Sequence, residues 1–194
     1  MLDLTPATGT LARIVTDIRD DQLTAPTPCG GSSVADLLDH VDGLCLAFTA
    51  SAAKEASSRG PSAADGTRLG ADWRTRIPAR LAELAGAWQD EAAWSGMTKA
   101  GGLDMPSEVA GRVAINEVVV HGWDLAEATG QDYACDSELV QAASSFVQSV
   151  VAQNPDGSPG LFGPPVAVPQ DAPALDRLLG ATGRDPGWRP GGTS

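Results

Sequence analysis

Basic residues are few in this chain: 13 Lys and Arg stand against 25 Asp and Glu over 194 residues, a formal net charge of −12. With no Lys/Arg cluster to override that balance, phosphate backbones and anionic membrane surfaces are excluded as partners. No run of about 18 apolar residues exists, so no segment reads as a membrane span. The start, Met1-Leu2-Asp3-Leu4-Thr5-Pro6, does not read as a signal peptide. Three cysteines, Cys29, Cys45 and Cys135, are odd in number and lack a CxxC pair, which fits a reduced cytoplasm better than a disulfide framework. There is no G-x-S-x-G nucleophile elbow and no glycine-rich phosphate loop after a strand. Histidine is scarce too, with two residues: His40 and His121.

What is present is a helical pattern nearly throughout, with 42% hydrophobic residues, enough for one domain with a core. Thr5 as N-cap and Pro6 at N1 open a first helix with Leu11, Ile14, Val15 and Ile18 as its stripe. Ser32 or Ser33 caps a second helix that runs to about Ala56. A polar stretch from Ser57 to Gly70 is expected to be a mobile loop. Trp73, Ile77, Leu81, Leu84 and Trp88 mark a third helix. Residues 92–106, with Gly96, Gly101, Gly102 and Pro106, are expected to be an irregular connection, and no alternation is long enough to argue for a sheet. Ser107 is expected to cap a fourth helix closed by Thr129-Gly130. A fifth begins near Asp136 and ends before Asn154-Pro155. Beyond it, Pro159, Pro164, Pro165, Pro169 and Pro173 keep the tail extended, except for a short helix from Ala174 to Ala181. The expected fold is an all-α antiparallel bundle over residues 1–154, with a proline-rich extension, 155–194, packed on the same domain.

Both histidines fall on inward stripes. His40 sits between Leu37 and Leu44. His121 follows Glu117 by four residues, so the two share a helix face with Asp124 one turn further on. The run Val118-Val119-Val120 makes this helix apolar on nearly all sides, which places it deep in the bundle. A carboxylate there costs several kcal/mol unless it is compensated. A divalent cation held by His40, Glu117 and His121 would compensate it; so would a simple hydrogen-bonded Glu–His pair, and spacing alone does not decide between them. Two imidazoles and one carboxylate suit zinc, nickel, iron or manganese, a choice the sequence leaves open, and they leave a coordination position for water or substrate. Asp124, and with less force Asp36 one turn before His40, could orient the ligand imidazoles. Trp123, beside His121, is the tryptophan expected to touch a ligand. Cys29 precedes a helix N-terminus, where thiolates are stabilised, but His40 lies roughly 10 Å further on, so Cys29 is expected to be a packing residue.

Leu23-Thr24-Ala25-Pro26-Thr27-Pro28-Cys29 followed by Val34-x-x-Leu37-Leu38-x-His40 resembles the first signature of the DinB-like superfamily. More narrowly, it resembles the branch containing mycothiol-dependent maleylpyruvate isomerase. The stretch Glu117-Val118-Val119-Val120-His121-Gly122-Trp123-Asp124-Leu125-Ala126-x-Ala128-Thr129-Gly130 is similar to that branch's second, more specific signature. The tail from Phe162 through Asp176-Arg177-Leu178-Leu179 to Pro186 looks like single-domain actinobacterial members. The resemblance covers nearly the whole chain. It implies a four-helix DinB-like bundle, His40, Glu117 and His121 as ligands of one divalent metal, and a low-molecular-weight thiol such as mycothiol as a further cofactor. Two departures stand out. Gly30-Gly31-Ser32-Ser33 replaces the Trp that relatives often carry after the Cys, and the residues after Asn154 are expected to be too few for the isomerase's additional C-terminal domain.

The expected function is therefore that of a metal-dependent, thiol-dependent transferase or isomerase acting on a small molecule in the cytoplasm, with homodimer formation left open. The alternatives are a metal-dependent hydrolase and a non-catalytic metal-binding or stress-associated module.

Overall fold

The computed structural model describes residues 1–55, 57, 63–158 and 161–191. Part of the expected Ser57–Gly70 loop, the expected helix end at Ala56, and Pro159 lie outside them. Six α-helices are described: α1 (Thr5–Asp17), α2 (Val34–Ala53), α3 (Trp73–Ala87), α4 (Ser107–Thr129), α5 (Ser137–Val151) and α6 (Ala174–Ala181). α1 and α2 each pack against both α3 and α4, which makes a four-helix bundle. α5 covers the outer side of α4, and α6 packs on α5. The fold is all-α. No helix among the described residues is long and apolar enough to cross a membrane.

Local chemistry explains the boundaries. Ser33 Oγ accepts the Asp36 amide at 3.2 Å while the Asp36 carboxylate accepts the Ser33 amide at 2.9 Å, a reciprocal capping box that starts α2. α2 stops at Lys54, which adopts a left-handed conformation at φ 60°. α4 ends at Gly130, φ 69°, the left-handed position where glycine carries no Cβ penalty. The Asp136 side chain accepts the Glu138 amide at 2.8 Å and caps α5. Two expected caps differ. α1 begins one residue early, with Leu4 as N-cap and Asp3 accepting the Thr5 amide at 2.9 Å. At α4, Pro106 stands at the N-cap, and the buried Ser107 hydroxyl makes no capping bond.

The connection over 92–106 is more ordered than expected. A 3₁₀ turn, Glu91–Trp94, leads into a hairpin of β1 (Met97–Ala100) and β2 (Leu103–Pro106), paired antiparallel from Met97↔Pro106 to Ala100↔Leu103. Its two-residue loop is Gly101-Gly102, with φ 58° and 83°. Positive φ at both central residues is what a type I′ hairpin turn needs. Thr98 Oγ1 donates to the Ser51 carbonyl at 2.7 Å and Ser51 Oγ to the Lys99 carbonyl at 2.6 Å, which fastens β1 to the end of α2.

The core is built from Leu11, Ile14 and Val15 of α1, Leu37, Leu38 and Val41 of α2, Ile77, Leu81 and Leu84 of α3, and most of α4. At one end the Trp88 and Trp94 rings meet edge to face, 4.9 Å apart, directly over Gly111. A Cβ there would lie 2.6 Å from Trp94 and 2.8 Å from Trp88. Gly111→Ala is therefore expected to destabilise by about 1–3 kcal/mol through overpacking. Helix propensity favours Ala by about 1 kcal/mol, so an unchanged or raised melting temperature would show that the indoles yield freely.

Candidate metal centre

His40 lies in the middle of α2, and Glu117 and His121 lie one turn apart on α4. Because α2 and α4 are bundle neighbours, the three side chains meet between them. His121 Nε2 is 3.0 Å from Glu117 Oε2, and His40 Nε2 is 3.6 Å from the same oxygen. The two imidazole rings stand edge to face with centroids 4.9 Å apart. One donor atom from each of the three residues lies within 4.8 Å of the other two. Side-chain exposure falls from 34% at His40 to 12% at Glu117 and 8% at His121, so the cluster opens to solvent along the His40 edge. A void of about 10 Å³, room for about one water, lies against Glu117 among Val41, Phe48, Leu84 and Val118.

The other nitrogen of His121 is fixed. Nδ1 is 2.9 Å from Asp124 Oδ2. An ionised carboxylate only accepts, so the hydrogen on this contact belongs to Nδ1. A neutral His121 then turns the bare lone pair of Nε2 toward a carboxylate oxygen 3.0 Å away. Two acceptors do not face each other at that distance unless a proton or a cation lies between them.

The electrostatics describe the proton's version of this arrangement. Burial opposes ionisation of Glu117, but hydrogen bonds and charge from His121 and His40 outweigh it and hold the carboxyl well below the usual carboxylate range. Burial alone would depress His121; bonds to Asp124 and Glu117 reverse that and push it up to about 10. Without a metal, then, a protonated His121 acts as counter-ion to Glu117. A divalent cation would replace that proton.

A second grouping shares His121: Cys29, His121 and Asp124 also bring donor atoms within 4.8 Å. The loop before α2 places the thiol there. Thr27 Oγ1 donates to the carbonyls of Cys29 and Ser32 at 3.2 and 2.9 Å, and Gly31 turns the chain at φ 81°. This grouping already contains a cation, however. The Arg184 guanidinium lies 3.1 and 3.3 Å from the two oxygens of Asp124. Of the two groupings found among the described residues, His40, Glu117 and His121 is the one without a fixed guanidinium in it.

The other expected site residues fall elsewhere. Asp36 is taken up by Ser33 and by the Gly66 amide, which it accepts at 2.7 Å, so its carboxylate caps α2 and anchors the Gly66 turn instead of orienting His40. Trp123 is buried in the core. It stands roughly 200° around α4 from His121, so it faces away from the triad rather than into it. The acids beside His40 on α2 are also engaged: Asp39 with Arg68 at 2.7 Å, and Asp42 with Arg80 and Arg76 at 2.6 and 3.3 Å. Sequence reasoning missed Arg184 and the approach of Cys29 to α4. Both depend on contacts between distant segments, and no local spacing signals them. A cavity of about 300 Å³ bounded by Met1, Leu2, Glu91, Trp94, Glu108 and Arg112 holds none of the triad.

The fold and the site define a class: a helical bundle that brings two imidazoles and one carboxylate together between neighbouring helices. Comparison with known proteins narrows it. The family model described as the mycothiol maleylpyruvate isomerase N-terminal domain matches residues 4–126, and the chain belongs to that family, within the DinB-like superfamily. Uncharacterised proteins from two Mycobacterium tuberculosis strains are each 31% identical over 182 residues, covering 92% of this chain and 93% of theirs. Among solved structures, the mycothiol-dependent maleylpyruvate isomerase shares the fold with a TM-score of 0.62 at 19% identity, over 92% of this chain and 85% of its own. A histidine-to-alanine mutant of that isomerase gives 0.63 at 17% identity.

Proposed function

We propose that His40, Glu117 and His121 hold one divalent transition metal, zinc in the first instance and nickel in the second. We further propose that the protein is a transferase or isomerase of a small molecule that uses a low-molecular-weight thiol of the mycothiol kind. The observation that carries the metal reading is the facing pair of acceptors, His121 Nε2 and Glu117 Oε2, at 3.0 Å, with Nδ1 already committed to Asp124. In this reading residues 1–154 form the metal-binding bundle and 155–194 an extension docked on it.

When bound, such an ion lowers the pKa of a coordinated thiol and polarises a carbonyl. The chain's own residues supply the rest. Glu117 contributes negative charge at the centre. Asp124 holds the His121 ring so that Nε2 stays directed inward. His40, the most exposed of the three, lies where a thiol and substrate would enter. The family match over residues 4–126 supports the thiol, since the relative that names the family is mycothiol-dependent.

Calorimetry tests this on metal-loaded protein with mycothiol and other biological thiols. Binding is expected to release a proton and to strengthen as pH rises through the thiol's own titration range, because a metal takes the thiolate. No heat and no competition from any thiol would overturn the thiol reading and favour a non-catalytic metal-binding module.

A further inference from the structure

We infer that Arg184, carried in by the C-terminal segment, is a positioning residue for the metal centre and acts on His121 through Asp124. The inference rests on the metal reading above. Arg184 sits just beyond α6, 60 residues from Asp124, and is 7% exposed. Asp124 is fully buried. The guanidinium meets its carboxylate side-on, Nε to Oδ1 at 3.3 Å and Nη2 to Oδ2 at 3.1 Å. Its third nitrogen, Nη1, donates to the Thr182 carbonyl at 2.9 Å, so the fork itself is held in place.

That geometry fixes the plane of the carboxylate. Two parallel N–H···O contacts define an orientation, where a single donor would leave the carboxylate free to turn. Oδ2 is shared between Arg184 and His121 Nδ1, so fixing Asp124 fixes the imidazole. The ring nitrogen that remains is then directed at Glu117. Stability alone is a poor reason for such an arrangement, since a buried ion pair often contributes no more than well-packed apolar residues would. A segment that packs on α5, outside the four-helix bundle, thus reaches the centre at its deepest ligand. Arg184 needs no contact with metal, thiol or substrate to do this.

The experiment measures zinc affinity of the full chain by competition with a chromogenic chelator, for the wild type, Arg184→Met, Arg184→Lys, Asp124→Asn and Arg184→Met/Asp124→Asn. Arg184→Met is expected to weaken zinc binding about 10–100-fold, the range typical of groups that orient ligand histidines. Arg184→Lys should recover only part, because it restores charge without the fork. In the Asp124→Asn background, Arg184→Met should cost little more, because its effect runs through that carboxylate. Wild-type affinity in folded Arg184→Met, or an undiminished loss in the Asp124→Asn background, overturns the inference. If Arg184→Met does not fold, wild-type affinity in Arg184→Lys overturns it instead.

A readout that needs no metal separates this inference from the reading beneath it. The His121 Nδ1 proton should be a protected downfield NMR resonance in the metal-free wild type and should exchange faster in Arg184→Lys. A wild type that takes up no zinc sinks the metal reading. Unchanged exchange in Arg184→Lys sinks the positioning role.

Discussion

Replacing His121 with Ala is expected to abolish metal retention, taking the purified protein from close to one transition metal per chain to background by elemental analysis. The reason lies in how the ligands are distributed. Glu117 and His121 come from one helix and His40 from another, and His40 is the most exposed of the three. Without His121 there remain one carboxylate and one imidazole whose nearest atoms are 3.6 Å apart, too few donors to hold an ion against water. Asp124 would keep Arg184 as its partner, so its charge stays compensated. Glu117 would lose the closer of its two imidazole contacts. The variant should therefore remain helical while losing the metal. Full occupancy in His121→Ala would remove the triad from consideration, whatever the stability of the variant.

How much of this was legible in the sequence depends on the range of the interaction that fixes each feature. Helical periodicity made it legible that Glu117 and His121 share one face and that His40 falls on an inward stripe, which requires only a spacing of four and apolar neighbours; the reading of the three as ligands of one metal came from the family resemblance. The closing Gly130 and the short helix from Ala174 to Ala181 were likewise written in local chemistry. The hairpin was not read, since strands of four residues alternate too briefly, and β2 is mostly exposed. Its turn was nonetheless signalled, because Gly101-Gly102 is the pair a type I′ loop selects. Asp36 was assigned to His40 on spacing, but it stands three residues after Ser33, and that shorter spacing is the capping-box pattern that prevailed. Cys29 precedes the helix that carries His40, and no periodicity points from it to α4. Arg184 lay furthest from view. Its partner is 60 residues away, and nothing in Thr182-Gly183-Arg184 marks an arginine bound for the interior.

Stripping the metal is expected to destabilise the protein by an amount that grows as the solution becomes more alkaline. In the metal-free chain the folded state holds His121 at about 10, above its ordinary value of 6.5. That raised value contributes stability in full below about 6.5, and the contribution is lost as pH rises through about 10. Glu117 works in the opposite sense. Its folded value is depressed, so its contribution is present above its ordinary value of 4.5 and is lost as pH falls towards the folded value. Both contribute in full from about 4.5 to 6.5, and metal-free protein should lose stability progressively above that, towards about 10. A bound divalent cation takes the place of the His121 proton, so its affinity should rise with pH over the same range. Free metal at 100 times its dissociation constant adds about 2.7 kcal/mol, which for a chain of this size is a shift of several degrees. Melting curves of loaded and chelated protein from pH 6 to 9 should therefore diverge, with both forms still helical by circular dichroism at low temperature. Curves that stay parallel or converge would show that no His121 proton is exchanged for the metal. A random coil on chelation would contradict a bundle whose apolar stripes form without the ion.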